Sequence, residues 1–194
     1  CQELIRIDTS NYGDGSGPGE AAAAAYVVDL LREVGLEPHT FESDPGRVSV
    51  AVRIPGADRG RGALCVHGHL DVVPADAADW SVDPFAGEER DGCVWGRGAV
   101  DMKDMDAMML AAVRHLARTG TVPPRDLVVV FFADEEAGGT KGSHFMVAEH
   151  PDVRHHKDVL RLYERWLKTG SRRAAARLRA LGIEPSPGAS RSTH

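Results

Sequence analysis

The sequence predicts an α/β layer fold. Segments of strand character alternate with segments of helical periodicity, one strand is an unbroken apolar run, and polar clusters close the two clearest core strands. Alternation of this kind argues for parallel strands, and in such sheets sites gather beyond the carboxyl ends of the strands. At 194 residues the chain can bury a substantial core, so one domain with an appendage is the expectation from size.

The elements follow in order. NYGDGSGPGE (11–20) is a loop rich in turn residues. AAAAAYVVDLLREVG (21–35) spaces Ala25, Val28, Leu31 and then Leu36 for a helix that stops at Gly35. Two β-rich runs come next, RVSVAVRIPG and GALCVHGHLD, separated by a turn of Gly and Arg. WSVDPFAGEERDGCVWGRG contains Pro84 and several glycines, hence loop and short hairpin. From Met102 to Thr119 the residues Met105, Met108, Met109, Ala112, Val113 and Leu116 keep helical spacing, and Gly120 ends the helix. The methionines read as core packing, and Trp80 and Trp95 as packing or a cleft wall. DLVVVFFADEE (126–136) is the strand buried on both faces, and a further helix is expected to start near Thr140.

Composition narrows the class. With 42% apolar residues, disorder throughout is excluded. No run approaches the roughly 20 apolar residues that span a bilayer, and no signal-peptide pattern opens the chain, so a soluble protein is expected. Cys1, Cys65 and Cys93 form neither a disulfide framework nor a CxxC site, and point to a reducing cytoplasm. A start on Cys1 instead of Met suggests a processed or partial product. The net charge of −6 is unevenly divided: from Arg154 onward ten Lys and Arg face three Asp and Glu, so this tail carries +7 and residues 1–153 carry −13.

The chemistry-bearing groups lie at strand ends. In His69-Leu70-Asp71 an extended i, i+2 spacing points both polar side chains the same way, so the aspartate can accept the second N–H of the imidazole and leave its other nitrogen a better metal ligand. His67 shares that face by the same alternation, and spacing does not choose between the two histidines. Asp134-Glu135-Glu136 closes the other strand, where neighbouring glutamates diverge and can take separate roles. Asp101 stands at the mouth of a helix. Carboxylates gathered in a partly dry cleft take up protons unless a cation compensates, and histidine with carboxylates, without thiolate, suits zinc, with cobalt or manganese as alternatives. Each signal also has a plainer explanation. His69 serves equally as a hydrogen-bonded strand residue, Asp101 as a helix N-cap with Asp104 and Asp106 at the positive helix end, and the glutamate pair as a solvated turn.

Together, GHLDVVP, WSVDPF, DGCVWGRGAVDMKDM and ADEEAGGTKG, in this order, resemble the di-zinc metallopeptidase family that contains acetylornithine deacetylase, succinyl-diaminopimelate desuccinylase, aminoacylase and glutamate carboxypeptidase. The likeness covers residues 1 to about 153, a partial catalytic domain. It implies a three-layer αβα sandwich of the zinc exopeptidase type, truncated and without the family's lid and dimerisation domain. By resemblance His69 binds one zinc, Asp71 orients it, Asp101 bridges two metals, Glu135 is the general base and Glu136 a ligand of the second zinc. The implied reaction is hydrolysis of an N-acyl amino acid or short peptide by a metal-activated water, with Glu135 carrying its proton to the leaving nitrogen.

The family's remaining ligands are an acidic residue after the glutamate pair and a histidine far downstream. Asp158 and Glu164, and His155, His156 and His194, hold those places by number only. Residues 154–194 depart from the family as a basic tail, in which 158–182 read as a pair of amphipathic helices, with Val159, Tyr163, Trp166 and Leu167 on one stripe and Ala174, Leu178 and Leu181 on another. The alternative function is therefore a non-catalytic fragment whose basic tail binds nucleic acid or a protein partner. It is the weaker reading, because the motifs are whole, while PSPGASRSTH cannot supply a recognition helix after TGSRRAAARLRALGIEPS.

Overall fold

A computed structural model describes residues 1–149, 171–173 and 175–176. The chain divides into two units, Cys1–Met146 and Val147–His194. In chain order the elements are α1 (Gln2–Arg6), α2 (Ala21–Arg32), β1 (His39–Asp44), β2 (Arg47–Ile54), β3 (Leu64–His69), β4 (Glu88–Arg90), β5 (Cys93–Trp95), α3 (Lys103–Thr119), β6 (Leu127–Phe132) and α4 (Ser143–Glu149).

Four strands form one mixed sheet in the order β1-β2-β6-β3, and β4 and β5 form a separate hairpin. The expectation of parallel strands holds for β3 and β6, the pair whose ends carry the polar clusters. β2 runs antiparallel to both β6 and β1. β1 escaped the sequence reading because HTFESD has no apolar run, and as an edge strand it is mostly exposed.

One face of the sheet holds the core. Val50, Val52 and Ile54 of β2 and Val129 and Phe131 of β6 alternate onto it, and α2 and α3 lie against them with Ala23, Ala24, Val27, Val28 and Leu31, and with Met109, Leu110 and Val113. Each large apolar side chain so buried contributes about 1.5–3 kcal/mol. Two details correct the periodicity reading. Val28 and Leu31 are buried as expected but Ala25 is exposed, its neighbour Ala24 taking the core position in α2, and of the α3 methionines Met109 is in the core whereas Met105 and Met108 face solvent. Gly120 ends α3 with φ 63°, a left-handed cap of the kind expected there.

Gly68 in β3 permits a close approach of α3 to the sheet. A Cβ there would collide with the Asp106 carboxylate of α3 and sit 2.8 Å from Met109 Cε. No helix among the described residues is long and apolar enough to cross a membrane. Of the basic tail, Arg172, Arg173, Ala175 and Ala176 are helical, with Ala175 N donating to Ser171 O at 3.0 Å. Val159, Tyr163, Trp166, Leu167, Ala174, Leu178 and Leu181 lie outside the described residues.

Candidate metal centre

Register brings the two polar clusters together. His69, the last residue of β3, pairs with Phe132, the last of β6, so the segments that follow leave the sheet side by side. Leu70 N donates to Phe132 O at 2.8 Å and prolongs the pairing by one step. After β6 the chain turns sharply: Asp134 has φ 63°, Gly139 N donates to Asp134 O at 2.6 Å, and Gly138 and Gly139 take positive φ. That turn presents Glu135 and Glu136 to the end of β3. Asp101 arrives from the β4–β5 hairpin, and its peptide bond to Met102 is cis. It does not cap α3, whose N-cap position is Met102.

His69 is buried at 5% exposure. Its Nδ1 lies 2.9 Å from Asp71 O and 3.4 Å from Asp71 Oδ1. The closer partner is thus the backbone carbonyl of Asp71, with the carboxylate beside it. Nε2 faces Asp101 Oδ1 at 3.2 Å and Glu135 Oε2 at 3.7 Å. One donor atom each from His69, Asp101 and Glu136 lies within 4.8 Å of the others. His67 takes no part in this cluster. Its ring instead packs against Phe132 with centroids 5.4 Å apart.

Asp71 anchors the arrangement. Fully buried, it accepts from Glu135 N and Glu136 N at 3.0 Å each and from Asn11 Nδ2 at 2.9 Å. Burial alone would raise its pKa, but these bonds and the His69 contact hold it below the usual carboxylate range. Burial lowers the His69 pKa, yet the hydrogen bonds and charge of Asp71, with Glu135, push it up to about 9. Glu136 is raised, first by burial and then, against the pull of His69, by the crowding of Asp101, Asp71 and Glu135.

These residues fit a divalent cation. The cluster offers one imidazole nitrogen and two carboxylates and no thiolate, a donor set that suits such an ion. The rim is also open, since the side chains of Asp101 and Glu135 are 75% and 59% exposed. Asp158, Glu164, His155, His156 and His194 fall outside the described residues.

Several functional neighbours gave no signal in the sequence. Asn11 and Glu20 sat in a loop read only for its turn residues, while Arg47 opened a run read for its strand character. In the fold, Arg47 is buried, with Nη1 2.6 Å from Glu20 Oε1 and Nη2 3.0 Å from Asn11 Oδ1. Lys103, also fully buried, donates from Nζ to Leu4 O at 2.8 Å and Ile7 O at 2.7 Å and ties the end of α1 to α3.

Among the described residues, neither carboxylate oxygen of Asp106 has a hydrogen-bond partner. Burial, moderated by His69 and Lys103, pushes its pKa up to about 8, so near neutrality it holds a proton that the unfolded chain would release. A raised folded pKa means stability present at low pH and lost as pH climbs from the ordinary aspartate value toward about 8. Asp106→Asn, which cannot ionise, is expected to flatten that decline and to exceed the parent by at least about 1 kcal/mol at pH 8. Urea midpoints measured against pH check this, and an equally steep profile in the variant would refute it.

An imidazole and carboxylates gathered beyond the ends of adjacent parallel strands, in an α/β sheet with helices packed on it, define the class of α/β metallohydrolases. Comparison with known proteins agrees. The match to Peptidase family M20/M25/M40 extends over residues 65–182, and the chain belongs to that family, one of metal-dependent amide hydrolases. The matched stretch runs past residue 153. Aminoacylase-1 from Sus scrofa is 37% identical over 131 residues, 67% of this chain and 32% of its own length. Succinyl-diaminopimelate desuccinylase from Methylocella silvestris is 34% identical over 148 residues, 74% of this chain and 36% of the relative. Among solved structures, human carnosine dipeptidase 1 superposes with a TM-score of 0.63 at 25% identity, over 75% of this chain and 33% of that one. The chain therefore spans about a third of the length of these relatives.

Proposed function

We propose that the chain forms the metal-binding part of a catalytic domain that hydrolyses the amide bond of N-acyl amino acids or short peptides, with zinc as its metal. The observation that carries this reading is the convergence of His69, Asp101 and Glu136 within 4.8 Å, with the exposed Glu135 beside them. The relatives' names, an aminoacylase, a desuccinylase and a dipeptidase, support the substrate class. The three cysteines, free and exposed, support a reducing cytoplasm as its setting.

His69 Nε2, Asp101 and Glu136 would hold the metal, which when bound supplies Lewis acidity toward a water and a substrate carbonyl. The remaining work falls to the protein. Asp71 holds the imidazole by Nδ1, so that the lone pair of Nε2 faces the rim. Glu135 is kept out of the donor set by the divergence of adjacent side chains and remains free to move a proton. It takes the proton of the attacking water and delivers it to the leaving nitrogen.

Because the described residues supply donors for one ion, hydrolysis by this chain is expected to be slow. The test compares the zinc-loaded chain with Glu135→Gln on N-acetyl amino acids and dipeptides. The variant should keep its zinc content while turnover falls about 10²- to 10⁴-fold. Equal turnover in both, or turnover that survives a chelator, would overturn the proposal.

A further inference from the structure

The buried side chain of Asn11 has every hydrogen-bonding position occupied. Nδ2 donates to Asp71 Oδ2 at 2.9 Å and to Asp134 Oδ1 at 3.1 Å, while Oδ1 accepts from Arg47 Nη2 at 3.0 Å and from Gly13 N at 3.1 Å. The amide is locked in this orientation, because turning it over would set its oxygen against two carboxylates and its NH2 against a guanidinium. Its backbone is held as well: Asn11 N donates to Val72 O at 2.9 Å, and Ser10 bridges to Val72 as a parallel partner. Thr9 Oγ1 donates to Leu70 O at 2.7 Å.

Asp71 follows the end of β3 and Asp134 the end of β6, so this one amide joins the two strand ends on which His69 and the glutamate pair stand. Behind it Arg47 is paired with Glu20, whose Oε1 also accepts from Asp134 N at 3.4 Å, which closes a buried loop of polar contacts. The Asp71 carboxylate is thereby held at both oxygens, Oδ2 accepting from Asn11 Nδ2 and Glu136 N and Oδ1 from Glu135 N, with His69 Nδ1 3.4 Å from Oδ1.

We propose that Asn11, backed by Arg47, is a positioning residue of the metal centre: through Asp71 it sets the direction in which His69 Nε2 points. This rests on the metal reading given above. An imidazole turned away from the rim would bind the ion with poorer geometry, and outer-shell groups of this kind carry about 10- to 100-fold in metal affinity. Nothing about the role requires Asn11 to touch metal or substrate.

The test titrates cobalt(II) into the purified chain and follows its visible absorption, which reports the geometry of the bound ion. Asn11→Asp keeps the shape but sets a third carboxylate against Asp71 and Asp134; Asn11→Ser keeps a small polar group that cannot span both. Each is expected to bind cobalt about 10- to 100-fold more weakly and, at saturation, to show a shifted spectrum. Affinity within twofold of the parent together with an unchanged spectrum would overturn the inference. Should both variants fail to fold, the unaltered chain decides: the Asn11 side-chain amide resonances should move when zinc is added, and resonances that stay still refute the role. His69→Ala separates the two levels, since undiminished cobalt binding in that variant would remove the metal centre itself, whereas lost binding there with normal binding in the Asn11 variants would remove only the positioning role.

Discussion

His69→Ala is expected to lose zinc binding by at least about 100-fold, more than outer-shell changes cost, because it removes the one imidazole that the described residues bring to the donor set. Calorimetric titration of the metal-free chain measures this directly. Thermal unfolding supplies a second reading. At a free zinc concentration 100 times the dissociation constant the parent gains about 2.7 kcal/mol of stability by mass action, and the variant should gain almost none. His67→Ala is the matched control. Its ring packs on Phe132 away from the donor cluster, so its zinc affinity should equal that of the parent. Equal losses in both variants would show that the imidazole at position 69 has no special role.

Asp71→Ala should produce the largest loss of stability among single substitutions at the site, about 3–5 kcal/mol in the metal-free chain. The carboxylate is fully buried and satisfies Asn11 Nδ2, Glu135 N and Glu136 N while lying 3.4 Å from His69 Nδ1. Alanine leaves the buried Asn11 Nδ2 and the part-buried Glu135 N and Glu136 N without this acceptor, and each buried unsatisfied group costs about 1–3 kcal/mol. Asp71→Asn, which fills the same space, should lose less stability but set an amide against backbone N–H groups that need an acceptor. Urea unfolding of the three proteins orders them parent, Asn, Ala, and an Ala variant within about 1 kcal/mol of the parent would refute the anchoring role of Asp71.

Much of the frame was legible in the chain. The continuous run LVVVFF could hardly be anything other than a central strand, and the spacing of Met109 and Val113 placed α3 correctly because helical periodicity records which side faces a core. The candidate residues were readable for a related reason. Strand alternation and strand ends are local properties, and they put His69, Asp71 and the glutamate pair at one edge. β1 was illegible because an edge strand with polar residues on both faces leaves no alternation to read. The exposure of Met105 and Met108 was likewise hidden, since α3 is covered on one side only.

From its residues alone this protein determined its α/β class, its central strand β6, and which carboxylates sit at strand ends, because period and propensity act over a few residues. Tertiary structure decided the rest. Only the pairing of His69 with Phe132 brings one strand end beside the other, and only the return of the N-terminal segment sets Asn11 between Asp71 and Asp134. Those contacts join positions 60 and 123 residues apart, a separation at which side-chain identity carries no local signature and only the closed fold supplies the partner.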